Sequence, residues 1–223
     1  MQGQRADLEW RDGGVPVSRL FDDPYFSLDD GLAETRHVFL AGNRLPERFA
    51  PGFHVAELGF GTGLNFLATW AAWEVQGIAP PLRFTSFEAY PMERAEMARA
   101  LDVFPELAQY ARQLLAVWQP DSGVYDFGAV RLEVIAADAR QALPNWQGRA
   151  DAWFLDGFSP AKNPQLWEET LMAEVARHTL PGGSVATYTA AGFVRRGLEA
   201  AGFDVSREPG FGRKRHMTIG RLA

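Results

Sequence analysis

Three glycines alternate in Glu57-Leu58-Gly59-Phe60-Gly61-Thr62-Gly63, directly after an apolar run and directly before a helical pattern. Glycine removes the side chain where a backbone must turn and approach a ligand closely, and a helix start offers free N–H groups. Leu64 stands where a dinucleotide fold places its third glycine, and no Gly-Lys-Ser/Thr follows, so the nicotinamide fingerprint and the P-loop are both unmet. Glu57, at the end of the run, would face the turn; its charge repels a pyrophosphate and suits a ligand with a cationic amino group and a sulfonium. Glu88 ends a second run, where a carboxylate can accept from two ribose hydroxyls. Asp138 follows a third, where it can accept from an adenine amino group or simply cap the helix that starts at Ala139.

A fourth run leads into Asp156-Gly157-Phe158-Ser159-Pro160-Ala161-Lys162-Asn163-Pro164. Asn163 as N-cap and Pro164 as first helical residue account for the end of this loop but leave Asp156 and Phe158 unexplained. An acid beside an aromatic suits an amine acceptor. An alkylammonium with a pKa of about 10.4 is roughly 99.9% protonated at neutral pH, and freeing its lone pair costs about 4 to 5 kcal/mol. Asp156 can hold that amine or take its proton, and Phe158 can stack on a base or face a sulfonium. An ordinary aspartate is a weak base at neutral pH, so orientation of the neutral amine is the expected role.

The elements that must position these residues alternate short apolar runs with helical patterns, which indicates a mostly parallel sheet with helices on both faces. Strands are expected at 53–58, 82–87, 132–136, 152–155 and 184–188. Helices are expected at 63–74, 93–101, 107–117, 164–178 and 192–201, and a terminal antiparallel hairpin at 203–207 and 217–222. Residues 1–50 read as an N-terminal extension, a hairpin at the Asp12-Gly13-Gly14 turn plus a helix over 32–40, ahead of the main domain at 51–223.

The 223 residues are 47% hydrophobic, enough for a sizeable core. There is no cysteine, and the four histidines lack zinc-ligand spacing, so no metal site is expected. The start MQGQRADLEW lacks a leader-like apolar run and no eighteen apolar residues follow one another, which reads as soluble and cytoplasmic with no membrane partner. The net charge of −6 argues against nonspecific coating of nucleic acid. From Phe193 onward, however, seven Lys/Arg face three Asp/Glu, and a basic end of this kind can grip a phosphate backbone locally.

AELGFGTGLNF (56–66), SFEAYP (86–91), DAWFLDGFSPAKNP (151–164), TAAGFVRRGLEAAGF (189–203) and GFGRKR (210–215), with Tyr25-Phe26-Ser27 and Gly31-Leu32-Ala33-Glu34-Thr35-Arg36, resemble the methyltransferase domain of the MnmC family. The resemblance spans nearly the whole chain and is loose only over 102–126. It implies a class I, Rossmann-like S-adenosylmethionine-dependent methyltransferase acting on the amine of 5-aminomethyl(-2-thio)uridine at the tRNA wobble position. The donor pocket it implies is lined by Glu57, Gly59, Phe60, Gly61, Gly63, Asn65, Glu88, Asp138 and Asp156, with Asp156 and Phe158 at the chemistry. Lys162, Arg195, Arg196, Arg213, Lys214 and Arg215 become candidate phosphate contacts. The family's bifunctional members continue into an FAD-dependent oxidase that makes the aminomethyl group, so an oxidase is a candidate separate partner unless it is joined to this chain or another route supplies the amine, with no FAD role for these residues. A small-molecule amine methyltransferase or aminopropyltransferase, and a catalytically silent RNA-binding module, stay open as alternatives.

Overall fold

A computed structural model of the chain describes residues 4–27 and 30–223; the first three residues of the N-terminal stretch lie outside it. A three-stranded antiparallel sheet comes first, formed by β1 (Leu8–Arg11), β2 (Val15–Ser18) and β3 (Asp23–Pro24). It is followed by α1 (Gly31–Thr35), whose N-cap Asp30 accepts from Ala33 N at 2.8 Å. The helix expected over 32–40 is only partly α-helical, because Arg36–Leu40 widens into a π-helical turn.

The main sheet begins with β4 (His54–Leu58), α2 (Leu64–Glu74), β5 (Leu82–Phe87), α3 (Arg94–Leu101) and α4 (Ala108–Val117). Next come β6 (Gly123–Asp126), β7 (Val130–Ile135), α5 (Ala139–Ala142), β8 (Ala150–Leu155), α6 (Glu169–Arg177), β9 (Thr179–Thr187) and α7 (Gly192–Ala200). The hairpin β10 (Phe203–Pro209) and β11 (His216–Leu222) closes the chain. Among the described residues the strands run β10-β11-β9-β8-β4-β5-β7-β6, with the five from β9 to β7 parallel. The edge strand β6 pairs antiparallel with β7 and was not expected; Val124 is exposed, so β6 lacks the two-sided apolar burial that marks the central strands. The helix expected over 164–178 is interrupted at Glu168, where a 3₁₀ turn gives way to α6.

Alternation along the central strands feeds two cores, one on each face. Val55, Phe84, Leu132 and Phe154 point to one; Ala56, Leu58, Trp153 and Leu155 point to the other. Leu8, Leu32, Val38 and Phe39 join the first of these, so the N-terminal elements bury their apolar side chains against the main sheet. The chain crosses from one side of the sheet to the other between β4 and its neighbour β8, and such a reversal opens a crevice at the carboxyl ends of the strands. The glycine turn leaves β4 at that point.

Candidate active site

A cleft of about 750 Å³ opens at this sheet edge, within the about 300–1,000 Å³ typical of small-ligand sites. The glycine turn forms its floor. Gly59, Gly61 and Gly63 take φ of 90°, 52° and 79°, and a Cβ on Gly59 would lie 2.0 Å from the Asp156 carbonyl oxygen. The turn and the acceptor loop thus touch backbone to backbone, joined also by Asp156 N donating to Leu58 O at 3.1 Å.

Successive strand ends supply the walls. Glu88, after β5, accepts from Gly61 N and Tyr90 N, each at 2.8 Å and each on a different oxygen. A carboxylate oxygen has a second lone pair, so both can still take a ligand hydroxyl. Burial raises the Glu88 pKa against those hydrogen bonds. Asp138 lines the cleft and caps α5 through Arg140 N at 2.9 Å, as the capping expectation had it. The Arg140 guanidinium also binds it and holds its carboxyl below the usual range.

Asp156, after β8, lines the cleft with its Oδ2 bound to Asn65 Nδ2 at 2.7 Å. Burial pushes its pKa up to about 7, against the Asn65 hydrogen bond; Glu34 raises it further, and Lys214 pulls it down. Glu57 sits behind the wall instead of facing the turn. It is fully buried, bound by Asn65 at 2.9 Å and Ser86 at 2.7 Å, and burial pushes it up to about 8. Gly63 is likewise set back, as the residue preceding α2, while Phe60 and Asn65 line the cleft.

The N-terminal segment forms the roof. Phe158 stacks on Phe21 at 4.6 Å and meets Tyr25 edge-on at 5.0 Å, while Ser159 N donates to Asp23 at 2.7 Å. Lys162 pairs with Asp22. In the basic run, Lys214 turns onto Glu34 at 2.7 Å and over the Tyr188 ring, and Arg213 lines the cleft mouth. Arg215 is exposed; Arg195 and Arg196 lie on α7, outside the cleft lining.

Tyr188, Phe21, Glu34 and Arg140 also belong to this site and escaped sequence reasoning. Tyr188 had a signal: it directly follows β9 at the carboxyl edge, where the other strands carry acids. Its hydroxyl donates to Gly157 O at 2.6 Å, fixing the acceptor loop.

The donor set is carboxylate and backbone, with glycines where a Cβ would obstruct, which fits a cationic nucleoside-type ligand. Among the described residues no cluster of three or more His, Asp or Glu could hold a metal ion.

A family model described as S-adenosyl-L-methionine-dependent methyltransferase matches residues 105–223, which include Asp138, the acceptor loop and the basic tail. The tRNA 5-methylaminomethyl-2-thiouridine biosynthesis bifunctional protein MnmC of Hahella chejuensis is 49% identical over 227 residues, covering 96% of this chain and 36% of that protein. Its Pseudomonas paraeruginosa counterpart is 48% identical, covering 97% and 35%. The chain therefore spans about a third of the length of these curated relatives. In structure it is similar to MnmC2 from Aquifex aeolicus, with a TM-score of 0.77 at 23% identity over 99% of this chain and 72% of that one. The glycine floor, the acids at successive strand ends and these matches converge: the chain belongs to the S-adenosyl-L-methionine-dependent methyltransferase family.

Proposed function

We propose that the cleft holds S-adenosylmethionine on the glycine turn and directs its methyl group to the primary amine of 5-aminomethyl(-2-thio)uridine at the tRNA wobble position. Bound there, the donor supplies a sulfonium methyl open to attack by a lone pair. In this reading Glu88 takes the ribose hydroxyls and Asp138 the adenine side. Phe158, Phe21 and Tyr25 offer an aromatic face to an unstacked base.

The observation that carries this reading is Asp156. One carboxylate oxygen is tied to Asn65, and the other has no partner among the described residues in the wall of the cleft. Its pKa of about 7 also revises the expected chemistry. Passing a proton from an amine of pKa about 10.4 to an ordinary aspartate costs about 9 kcal/mol; to this one it costs about 5 kcal/mol. Proton acceptance by Asp156 therefore joins orientation in this reading. The amine lone pair forms the N–C bond as the C–S bond breaks toward sulfur, and Asp156 takes a proton from nitrogen.

The tRNA assignment is supported by relatives 48–49% identical along nearly all of this chain and named for tRNA 5-methylaminomethyl-2-thiouridine biosynthesis. Arg213 and Arg215, with Lys162, Lys214, Arg195 and Arg196 as further cations, are the phosphate contacts this reading uses. The aminomethyl group would come from the FAD-dependent oxidase implied by the family resemblance, whether a separate partner or joined to the same protein. Among the described residues no helix is long and apolar enough to cross a membrane, and a cytoplasmic tRNA substrate agrees with that. Methyl transfer from labelled donor to tRNA lacking the final methyl, run beside free polyamines, tests the reading. Label is expected in tRNA; label in polyamines alone would contradict it.

A further inference from the structure

Asn65, the second residue of α2, commits both hydrogens of its carboxamide to carboxylates. Nδ2 donates to Glu57 Oε1 at 2.9 Å and to Asp156 Oδ2 at 2.7 Å. Its Oδ1 accepts from the Thr35 hydroxyl at 2.8 Å. The carboxylates come from neighbouring strands: Glu57 lies in β4 and Asp156 follows β8. Ser86, opposite Glu57 in the parallel register with β5, donates to the second Glu57 oxygen at 2.7 Å. Glu57 is 0% exposed and does not line the cleft, although burying a carboxyl is costly unless its hydrogen bonds are met. Turning the amide over would take its N–H donors away from both carboxyl groups and lose the Thr35 hydrogen bond to Oδ1, so its orientation is fixed from three sides.

We infer that Asn65 and Glu57 are positioning residues for methyl transfer. The Asn65 amide, anchored on Glu57 and oriented by Thr35, holds Asp156 by one oxygen and leaves the other for the acceptor amine. The inference rests on the proposed amine methylation and assigns Asn65 to the acceptor side instead of the donor. It also ties the N-terminal α1 to the chemistry through Thr35. The charged groups acting on Asp156 are Glu34 from α1, Lys214 from the β10–β11 loop, Glu88 after β5 and Glu57 from β4. The Asn65 hydrogen bond favours ionised Asp156, so losing it makes the carboxyl harder to deprotonate.

Single-turnover transfer to aminomethyluridine tRNA at saturating donor, with donor affinity measured by calorimetry, tests this on four variants. Asn65→Leu is expected to lower the rate about 100-fold with donor affinity within about 3-fold, and to move the acid limb of the rate–pH profile upward. Thr35→Val, which removes one hydroxyl and leaves both carboxylates their amide, should cost about 10-fold with the same displacement; it decides the matter if Asn65→Leu does not fold. Glu57→Gln keeps an acceptor for Asn65 and should stay within about 3-fold of wild type at neutral pH, whereas Glu57→Leu should fall as Asn65→Leu does. Wild-type rates and profiles in Asn65→Leu and Thr35→Val, or equal losses of rate and donor affinity, would overturn the inference. A wild-type protein inert toward this tRNA would sink the tRNA reading and the inference together. An active wild type with unaffected variants sinks the inference alone.

Discussion

Burial raises the Asp156 carboxyl to about 7, with Glu34 and Glu88 adding to the rise, so near neutrality it is divided between its two protonation states. A group that must be ionised to accept a proton gives a rate that climbs as pH rises through that value. The same placement separates its two jobs. The donor should rest on Glu88 and the glycine turn, while Asp156 meets the amine. Asp156→Asn is accordingly expected to keep donor affinity within about 3-fold and to lose about 100-fold or more in turnover. Calorimetry beside steady-state methyl transfer checks both, and wild-type turnover would remove Asp156 from the chemistry. Glu57 illustrates what register reading can add. It shares a strand face with Val55, a core position, and that alternation indicates an inward side chain. The charge of the residue drew attention to the ligand instead.

Contacts between elements explain why the site has its shape and why part of it was hidden. The glycine turn and the cleft acids Glu88, Asp138 and Asp156 were readable, because few residue types serve those positions and the parallel architecture puts them on one edge. The roof was only partly so. Phe21, Glu34 and Thr35 come from short segments without a clear period, and they join the site through contacts with Phe158, Lys214 and Asn65, each distant in sequence. The edge strand β6 escaped for a related reason, since its alternation runs over just four residues. The tightest contact, between the turn and the acceptor loop, supports a direct test. Gly59→Ala places a methyl 2.0 Å from a backbone carbonyl at φ +90°, and should abolish donor binding or lower Tm by several degrees. Gly128→Ala, at φ +77° with nothing within 4 Å, carries the conformational strain alone, about 1 kcal/mol, and should bind donor normally. The β10–β11 loop makes a different prediction. Replacing Arg213, Lys214 and Arg215 together by Ala should weaken tRNA binding and flatten its salt dependence, measured by titration at several salt concentrations. Unchanged affinity and slope would exclude this loop from the RNA contact.

Across the whole molecule, a cleft that gathers carboxylates should carry a stability cost that depends on pH. Glu57 rises from 4.5 to about 8 on folding because burial disfavours its charge. The folded state therefore holds a proton the unfolded chain has lost, and the stability this contributes is full below about 4.5 and disappears as pH rises through about 8. The interval corresponds to about 5 kcal/mol. Thermal melts of the donor-free protein should show Tm falling toward alkaline pH, and Glu57→Gln should reduce that fall; identical profiles would show that Glu57 is ionised in the fold. A cationic donor would favour ionised carboxylates along the cleft, so its binding should release protons. The turnover and tRNA-binding expectations presuppose a methylated amine on tRNA, and nucleoside mass spectrometry reads that product most directly. After incubation of aminomethyluridine-containing tRNA with the protein and S-adenosylmethionine, 5-aminomethyl(-2-thio)uridine should disappear as 5-methylaminomethyl(-2-thio)uridine accumulates in equal amount. An unchanged nucleoside profile under conditions where the donor is bound would contradict the account.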